Sequence, residues 1–373
     1  MSETYFLYHS IGMYPGKARD LAAAVAGFAV VWGTPDDGQW GYALAARQRF
    51  IDRWSAIIGA PPGSVTTTES VTHAVHALMR ALPGAHLAGR TVLVAEDCFP
   101  SNHFLFQKLA QAQGFTLKTV PLRQGATWVE DEDFLDAWTP DVGLALLTWV
   151  SSTSSHRIDL PRMVAHGRRM GSLIGVDITQ AAGLIPFHVL SPEVDFAVST
   201  SLKWMCGTPG AGVLYLSPRL VPHVSPELRG WFSQPDPFNW DITRFAYAPD
   251  MRRFDSGTPG VMAALASLPA LDWHAGQDMG NILAHNRRLT GRLIAAADDM
   301  GLRLATPRAE KDRGGSVMVR LPERQPAAEV VARLRSEGMT SDHRGQTLRL
   351  SPGVMTSEAG TDRLVAALRR LLG

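Results

Sequence analysis

From about residue 64 to residue 218, short apolar runs alternate with amphipathic stretches, and this alternation fixes the class of fold. The apolar runs are Thr91–Ala95, Thr116–Val120, Gly143–Leu147, Leu173–Asp177, Val194–Val198 and Gly212–Leu216, with helical periodicity near Asn102–Gln113 and Leu160–Met170 between them. Strands that are apolar on both faces must be covered on both faces. They therefore predict an α/β architecture, a mainly parallel sheet between helices. Ligands in such sheets bind beyond the carboxyl ends of the strands, where the loops converge. Ser70, Asp97, Phe99, Ser101, Asn102, Ser152, Asp177 and Gln180 stand at those ends.

The texture changes from about residue 260. A long helical stretch, Val261–Met300, is followed by an apolar run at Gly315–Arg320, a helical pattern near Ala327–Glu337 and a second run at Thr347–Ser351. Two short strands among helices predict a smaller α+β domain packed on the first, with a small-molecule cleft between the two.

Charge and cysteine usage narrow the function classes. The 36 basic and 35 acidic residues are scattered, and a net charge of +1 leaves no footprint for nucleic acid or an anionic membrane. No uninterrupted apolar run of about 18 residues occurs, and Met1-Ser-Glu-Thr-Tyr5 lacks a basic region followed by an apolar one. The chain is expected to be cytoplasmic, with no membrane partner. Cys98 and Cys206 lie outside any C-x-x-C pattern, so neither a disulfide framework nor a zinc ribbon is indicated. His73 and His76 share one helical face, which explains their spacing without a metal site.

Four segments carry chemistry. In Ser199-Thr-Ser-Leu-Lys203-Trp-Met-Cys-Gly207-Thr-Pro-Gly-Ala-Gly212 a lysine sits between an apolar strand and a glycine-rich turn. A desolvated amine there has a lowered pKa and forms a Schiff base with an aldehyde cofactor; a solvated loop lysine is the alternative. Asp177 ends a strand where a pyridine-based cofactor would need an acid at its ring nitrogen, or caps a following helix. The run Thr66-Thr-Thr68-Glu-Ser70-Val-Thr72 precedes an amphipathic segment, so its hydroxyls and free N–H groups suit a phosphate, with plain capping as the alternative. In Asp97-Cys-Phe99-Pro-Ser101-Asn102 the aromatic ring either stacks on a planar cofactor or fills the core.

Together these segments resemble the fold-type I enzymes that use pyridoxal 5'-phosphate, and within them the class V aminotransferase and kynureninase group, over nearly the whole chain. The resemblance implies a PLP-dependent transferase-like fold with an N-terminal segment (1–20) near the active site, a large domain (21–260) and a small C-terminal domain (261–373). Phe99-Pro-Ser-Asn is similar to the kynureninase segment whose phenylalanine stacks on the cofactor. Asp177-x-x-Gln180-Ala-Ala-Gly resembles the cysteine desulfurase form of the ring-binding strand, which implies Asp177 at the pyridine nitrogen and Gln180 at the phenolic oxygen. Gly230-Trp231-Phe232, Pro237-Phe238 and Arg253-Phe-Asp-Ser-Gly257-Thr258-Pro259 follow kynureninase in order and spacing. They imply Trp231 at the phosphate together with Thr68, Glu69, Ser70 and Ser201, and Thr258 reaching it from the neighbouring subunit of a homodimer with shared active sites.

Tyr8-His-Ser10-Ile-Gly12 resembles the N-terminal Asn-Ser-Leu-Gly of that group, which lies near the substrate and brings Ser10, His9 and Trp40 toward its pocket. Asp342-His-Arg344-Gly-Gln-Thr-Leu-Arg349-Leu-Ser-Pro352 resembles the segment whose arginine holds the substrate α-carboxylate. Arg349 is the candidate, since a guanidinium grips a carboxylate through two parallel bonds. The implied substrate is an amino acid, deprotonated at its α-carbon by Lys203. Kynureninase-like side-chain cleavage, class V transamination and a non-catalytic protein retaining the fold are the three readings. The chain departs from the pattern at Leu202, where kynureninases carry Tyr and cysteine desulfurases His, and at Gln180, where kynureninases carry His.

Overall fold

A computed structural model describes residues 3–372. Its larger sheet contains β1 (Val65–Thr68), β2 (Thr91–Ala95), β3 (Thr116–Val120), β4 (Val142–Thr148), β5 (Leu173–Asp177), β6 (Phe196–Thr200) and β7 (Gly212–Leu216), in the order β1-β7-β6-β5-β4-β2-β3. Neighbours from β6 through β3 are parallel, and β7 runs antiparallel to both β6 and β1. Strands β2 and β5 are buried at every position, as their apolar composition requires. Edge strand β3 alternates exposed and partly buried residues before Val120, with Lys118 among them, which discourages further pairing.

Helices cover both faces. They are α1 (Lys17–Gly33), α2 (Gln39–Ile58), α3 (Val71–Ala81), α4 (Pro100–Gln113), α5 (Asp131–Ala137), α6 (Leu160–Met170) and α7 (Met262–Ala275), while α8 (Met279–Asp299) runs on to the second sheet, where its Leu293 and Ala297 join the core. The Ser70 hydroxyl caps α3 by accepting from the His73 N–H at 3.2 Å. His73 and His76 lie on the exposed face of α3. The stretch Val261–Met300 is two helices rather than one, because the Asp278 carboxylate accepts from the Gly280 N–H at 2.7 Å and starts a new helix after the Gly276 break. Among the described residues no helix is long and apolar enough to cross a membrane.

The second sheet contains β8 (Arg303–Leu304), β9 (Val317–Arg320), β10 (Asp342–Arg344) and β11 (Thr347–Leu350), ordered β10-β11-β9-β8 and antiparallel throughout. Helices α9 (Ala327–Ser336) and α10 (Glu358–Leu372) pack on it around Val317, Val319, Leu334, Leu348 and Leu364. The N-terminal segment ties the two sheets together. Tyr5 and Leu7 bridge in parallel to Thr340 and Ser351, and the Gly12 N–H donates to the Leu202 carbonyl at 2.9 Å. Only glycine fits at position 12, since a Cβ there would lie 1.8 Å from the Lys203 carbonyl oxygen. Lys17 fastens the contact by donating to the Gly12 carbonyl at 2.7 Å and the Gly207 carbonyl at 3.2 Å.

Candidate active site

Lys203 lies in the connection between β6 and β7, so the one reversed strand of the sheet creates the loop that carries it. The loop is tightly tied. Gly207 donates to the Ser201 carbonyl at 2.7 Å, Cys206 to the Lys203 carbonyl at 2.8 Å, and buried His274 bonds the Trp204 carbonyl through Nε2 at 3.0 Å. Burial pushes the Lys203 amine below its ordinary pKa; Asp177 pulls it back up, while Arg349 and Arg344 push it further down. Its Nζ stands 5.2 Å from the centroid of the Phe99 ring. That ring is 38 % exposed at the start of α4, so it is a platform at the site and not a core residue.

A cavity of about 350 Å³ opens in front of Lys203, with Phe99, Asp177, Gln180 and Leu202 in its walls. No helix follows Asp177. Its Oδ1 accepts from the Thr179 N–H at 2.9 Å in a tight turn, and the side chain is buried. The Gln180 amide is held at both ends, donating to the His9 carbonyl at 3.0 Å and accepting from the Trp204 indole at 3.1 Å. Glu69, Ser70, Val71 and Thr72 bring the start of α3 to the same cavity, and the first N–H groups of a helix have no intrahelical partner. Thr148, Ser152 and Thr179 also line it, and their buried hydroxyl oxygens have no hydrogen-bond partner among the described residues.

These residues fit pyridoxal phosphate. A desolvated amine, a buried carboxylate, an aromatic platform, an anion-binding helix start and unsatisfied hydroxyls converge on one space. Thr72 belongs to the expected phosphate run, whereas Thr148 and Thr179 are not among the expected residues, although Thr148 ends an apolar strand and Thr179 lies just after Asp177, both positions where ligands gather.

The other expected residues are dispersed. Thr68 and Thr258 line an adjoining cavity of about 510 Å³ that shares Glu69 and Gly210 with the first. The Glu69 carboxylate turns away to His73 Nδ1 at 2.9 Å. Ser201 is fully buried, and its hydroxyl accepts from the Trp54 indole at 3.1 Å instead of facing the cavity. Trp231 lines neither cavity and stacks on Trp240, with centroids 6.3 Å apart. Ser10 and Arg349 also lie outside the walls of the first cavity. Arg349 is clamped by Asp342, through Nε to Oδ1 at 2.8 Å and through a second bond from Nη2 to Oδ2, and Asp342 Oδ1 also meets His9 Nε2 at 3.0 Å. Trp40 is exposed and packs edge-on against Trp32.

The sequence profile described as Aminotransferase class-V matches residues 48–344. The chain belongs to the class V aminotransferase family. It is therefore an enzyme whose cofactor is pyridoxal 5'-phosphate. Kynureninase from Deinococcus radiodurans is 30% identical over 309 residues, which cover 81% of this chain and 72% of that protein. A kynureninase from Burkholderia pseudomallei is 27% identical over 349 residues, 90% of this chain and 80% of the relative. Among solved structures, the cysteine desulfurase of Thermococcus onnurineus superposes with a TM-score of 0.86 at 18% identity, covering 99% of this class V chain and 94% of the other. The cystine C–S lyase C-DES superposes with a TM-score of 0.85 at 18% identity, covering 99% and 98%.

Proposed function

We propose that this class V enzyme deprotonates an amino acid at its α-carbon and then cleaves the substrate's side chain in the manner of a kynureninase. The observation that carries the first part is the Lys203 amine, desolvated and facing Phe99 in a cavity that Asp177 also lines. Kinship with kynureninases supports the second part over transamination.

Lys203 would hold the cofactor covalently, Asp177 its ring nitrogen, Phe99 its ring face and Gln180 its phenolic oxygen. Ser70 with the start of α3, Thr68, and Thr258 from a second copy of the chain would hold its phosphate. The cofactor, when bound, supplies a ring that accepts the electron pair freed at the substrate's α-carbon. Lys203 Nζ takes the α-proton, a task its lowered pKa suits because more of the amine is neutral near pH 7. Arg349 takes the α-carboxylate on the edge that Asp342 leaves open, since Asp342 uses Nε and Nη2. Leu202 contributes an apolar wall and no proton. The working unit is a homodimer in the cytoplasm.

Incubating the cofactor-loaded enzyme with L-kynurenine, without a keto acid, tests this reading. Many turnovers releasing the side-chain fragment are expected. Stoichiometric conversion of the cofactor to pyridoxamine phosphate would establish transamination instead.

A further inference from the structure

Beside the cofactor cavity lies a much smaller one, of about 20 Å³. Thr148, at the end of β4, forms a wall of both. Beyond the small cavity, Asp131, His156 and Ile158 are shared with an outer groove of about 390 Å³, where Arg157, Asp159, Lys311 and Asp312 face solvent-accessible space. Three spaces thus adjoin one another, the inner two through Thr148 and the outer two through Asp131, His156 and Ile158.

A space of about this size takes one water if two or more polar groups are ready to bond it. Thr148 Oγ1 and Asp131 Oδ1 are both buried, and neither has a hydrogen-bond partner among the described residues. The other Asp131 oxygen is already used, accepting from the Asp159 N–H at 2.8 Å. Asp97 and Ser151 line the same small cavity.

We propose that the small cavity holds one water bridging Asp131 Oδ1 and Thr148 Oγ1, and that this chain conducts protons between the outer groove and the cofactor cavity. The Asp131 carboxyl gives its proton to the water oxygen, the water gives one of its own to Thr148 Oγ1, and the hydroxyl releases its former proton to a base in the cofactor cavity. Each O–H bond that breaks is replaced, one proton crosses, and nothing is oxidised.

The charges around the path suit it. Burial raises Asp131 to about 6; Glu132 and Asp159 push it further up, while the Asp159 N–H and Arg162 pull it down. Its carboxyl therefore loads and releases a proton near neutrality. His156, with Nε2 3.9 Å from Asp131 and its ring stacked on Trp128, is pushed down to about 4 by burial, against Asp312, and stays neutral. Asp97 is raised by burial, and Glu96 pushes it the same way, against bonds from Ser151, Val129 and its own backbone. At the inner end Leu202 is apolar and the Glu69 carboxylate is turned to His73, which leaves the hydroxyls, Asp177 and Lys203 to exchange the proton.

The water site stands on geometry alone, whereas conduction to the cofactor rests on the reading that Lys203 holds it. A high-resolution crystal structure of the apoprotein tests the first: an ordered water within about 3 Å of both oxygens is expected, and a dry cavity overturns the proposal. A stopped-flow pH jump on the cofactor-loaded enzyme tests the second, through the rate at which the absorption band of the lysine-bound cofactor responds. Thr148→Val keeps the shape but removes the hydroxyl, and Asp131→Asn keeps an acceptor oxygen but not the proton. Asp131→Asn should slow the response at least about tenfold with the band amplitude unchanged, and Thr148→Val, whose hydroxyl also lines the cofactor cavity, should slow it at least as much when compared at equal cofactor occupancy. Responses as fast as the wild type in both variants overturn the path. Absence of the band from the wild type would instead count against the Lys203 assignment, and the crystallographic test then decides the water site by itself.

Discussion

Two cavities of nearly equal volume flank the loop that carries Lys203, and they differ in the kinds of side chain that line them. The one in front of the lysine, about 350 Å³, holds Asp177, Phe99, the start of α3 and hydroxyls whose oxygens lack partners. The other, about 370 Å³, is walled mainly by apolar groups such as Ile57, Ile185, Phe187 and Met205, with Arg53 and Gln277 also in its lining. Its buried histidine, His274, already spends Nε2 on the Trp204 carbonyl and is pushed down to about 4 by burial, so it stays neutral. Volume alone therefore does not mark a site. What marks it is a desolvated amine and a buried carboxylate meeting an aromatic platform and several unpartnered hydroxyls in one space.

The largest effect should come from the front cavity. Lys203→Ala should abolish the absorption band formed with pyridoxal phosphate and lower turnover by at least about 10⁴-fold, as loss of a covalent catalyst does. A variant that keeps the band would dissolve the contrast between the two cavities. Asp177→Asn keeps an oxygen for the Thr179 N–H but not the charge. It should retain the band and lose about 10²- to 10³-fold in kcat, the scale of removing a preorganised electrostatic contact.

Arg349→Ala probes the rim, where the guanidinium touches Asp342 and not the cavity wall. Its signature should be a KM raised about 10- to 100-fold with a smaller change in kcat, matching loss of a charged hydrogen bond. Equal losses in kcat and kcat/KM would move Arg349 from substrate binding to the chemical step.

Behind the loop, the effects should be on stability. His274 has a folded pKa of about 4, below its ordinary value of 6.5. Its contribution is fully present above pH 6.5 and is lost as pH falls toward 4, at about 1.4 kcal/mol per unit in that window. His274→Gln should flatten that part of the stability profile in urea titrations across the acid range and leave the cofactor band in place. Ala56→Leu, which adds apolar bulk at the rim of the rear cavity, should change stability by no more than about 1 kcal/mol and leave turnover unchanged.

Much of this was legible in the chain. Thr91–Ala95, Thr116–Val120, Leu173–Asp177 and Gly212–Leu216 are strands at the residues their apolar runs mark. Asp177, Phe99 and Lys203 do meet in one cavity. Less legible were α1, α2 and α5, which lie outside or between the runs that set the alternation, and the break that divides Val261–Met300. Ser201 shows the limit most clearly. Its place two residues before Lys203 suggests the site, yet the direction of its hydroxyl is set by Trp54, far away in sequence.

The sequence by itself determined the class of sheet, the strand ends and the identity of the lysine loop, because the period of burial and the residues that interrupt it are local properties. Only the tertiary structure decided which groups share a space. The N-terminal segment laid on the lysine loop through Gly12, the His9 carbonyl holding Gln180, and the two cavities flanking one turn all depend on packing between distant segments. Such packing follows from the shapes of surfaces that form only after the strands and helices exist.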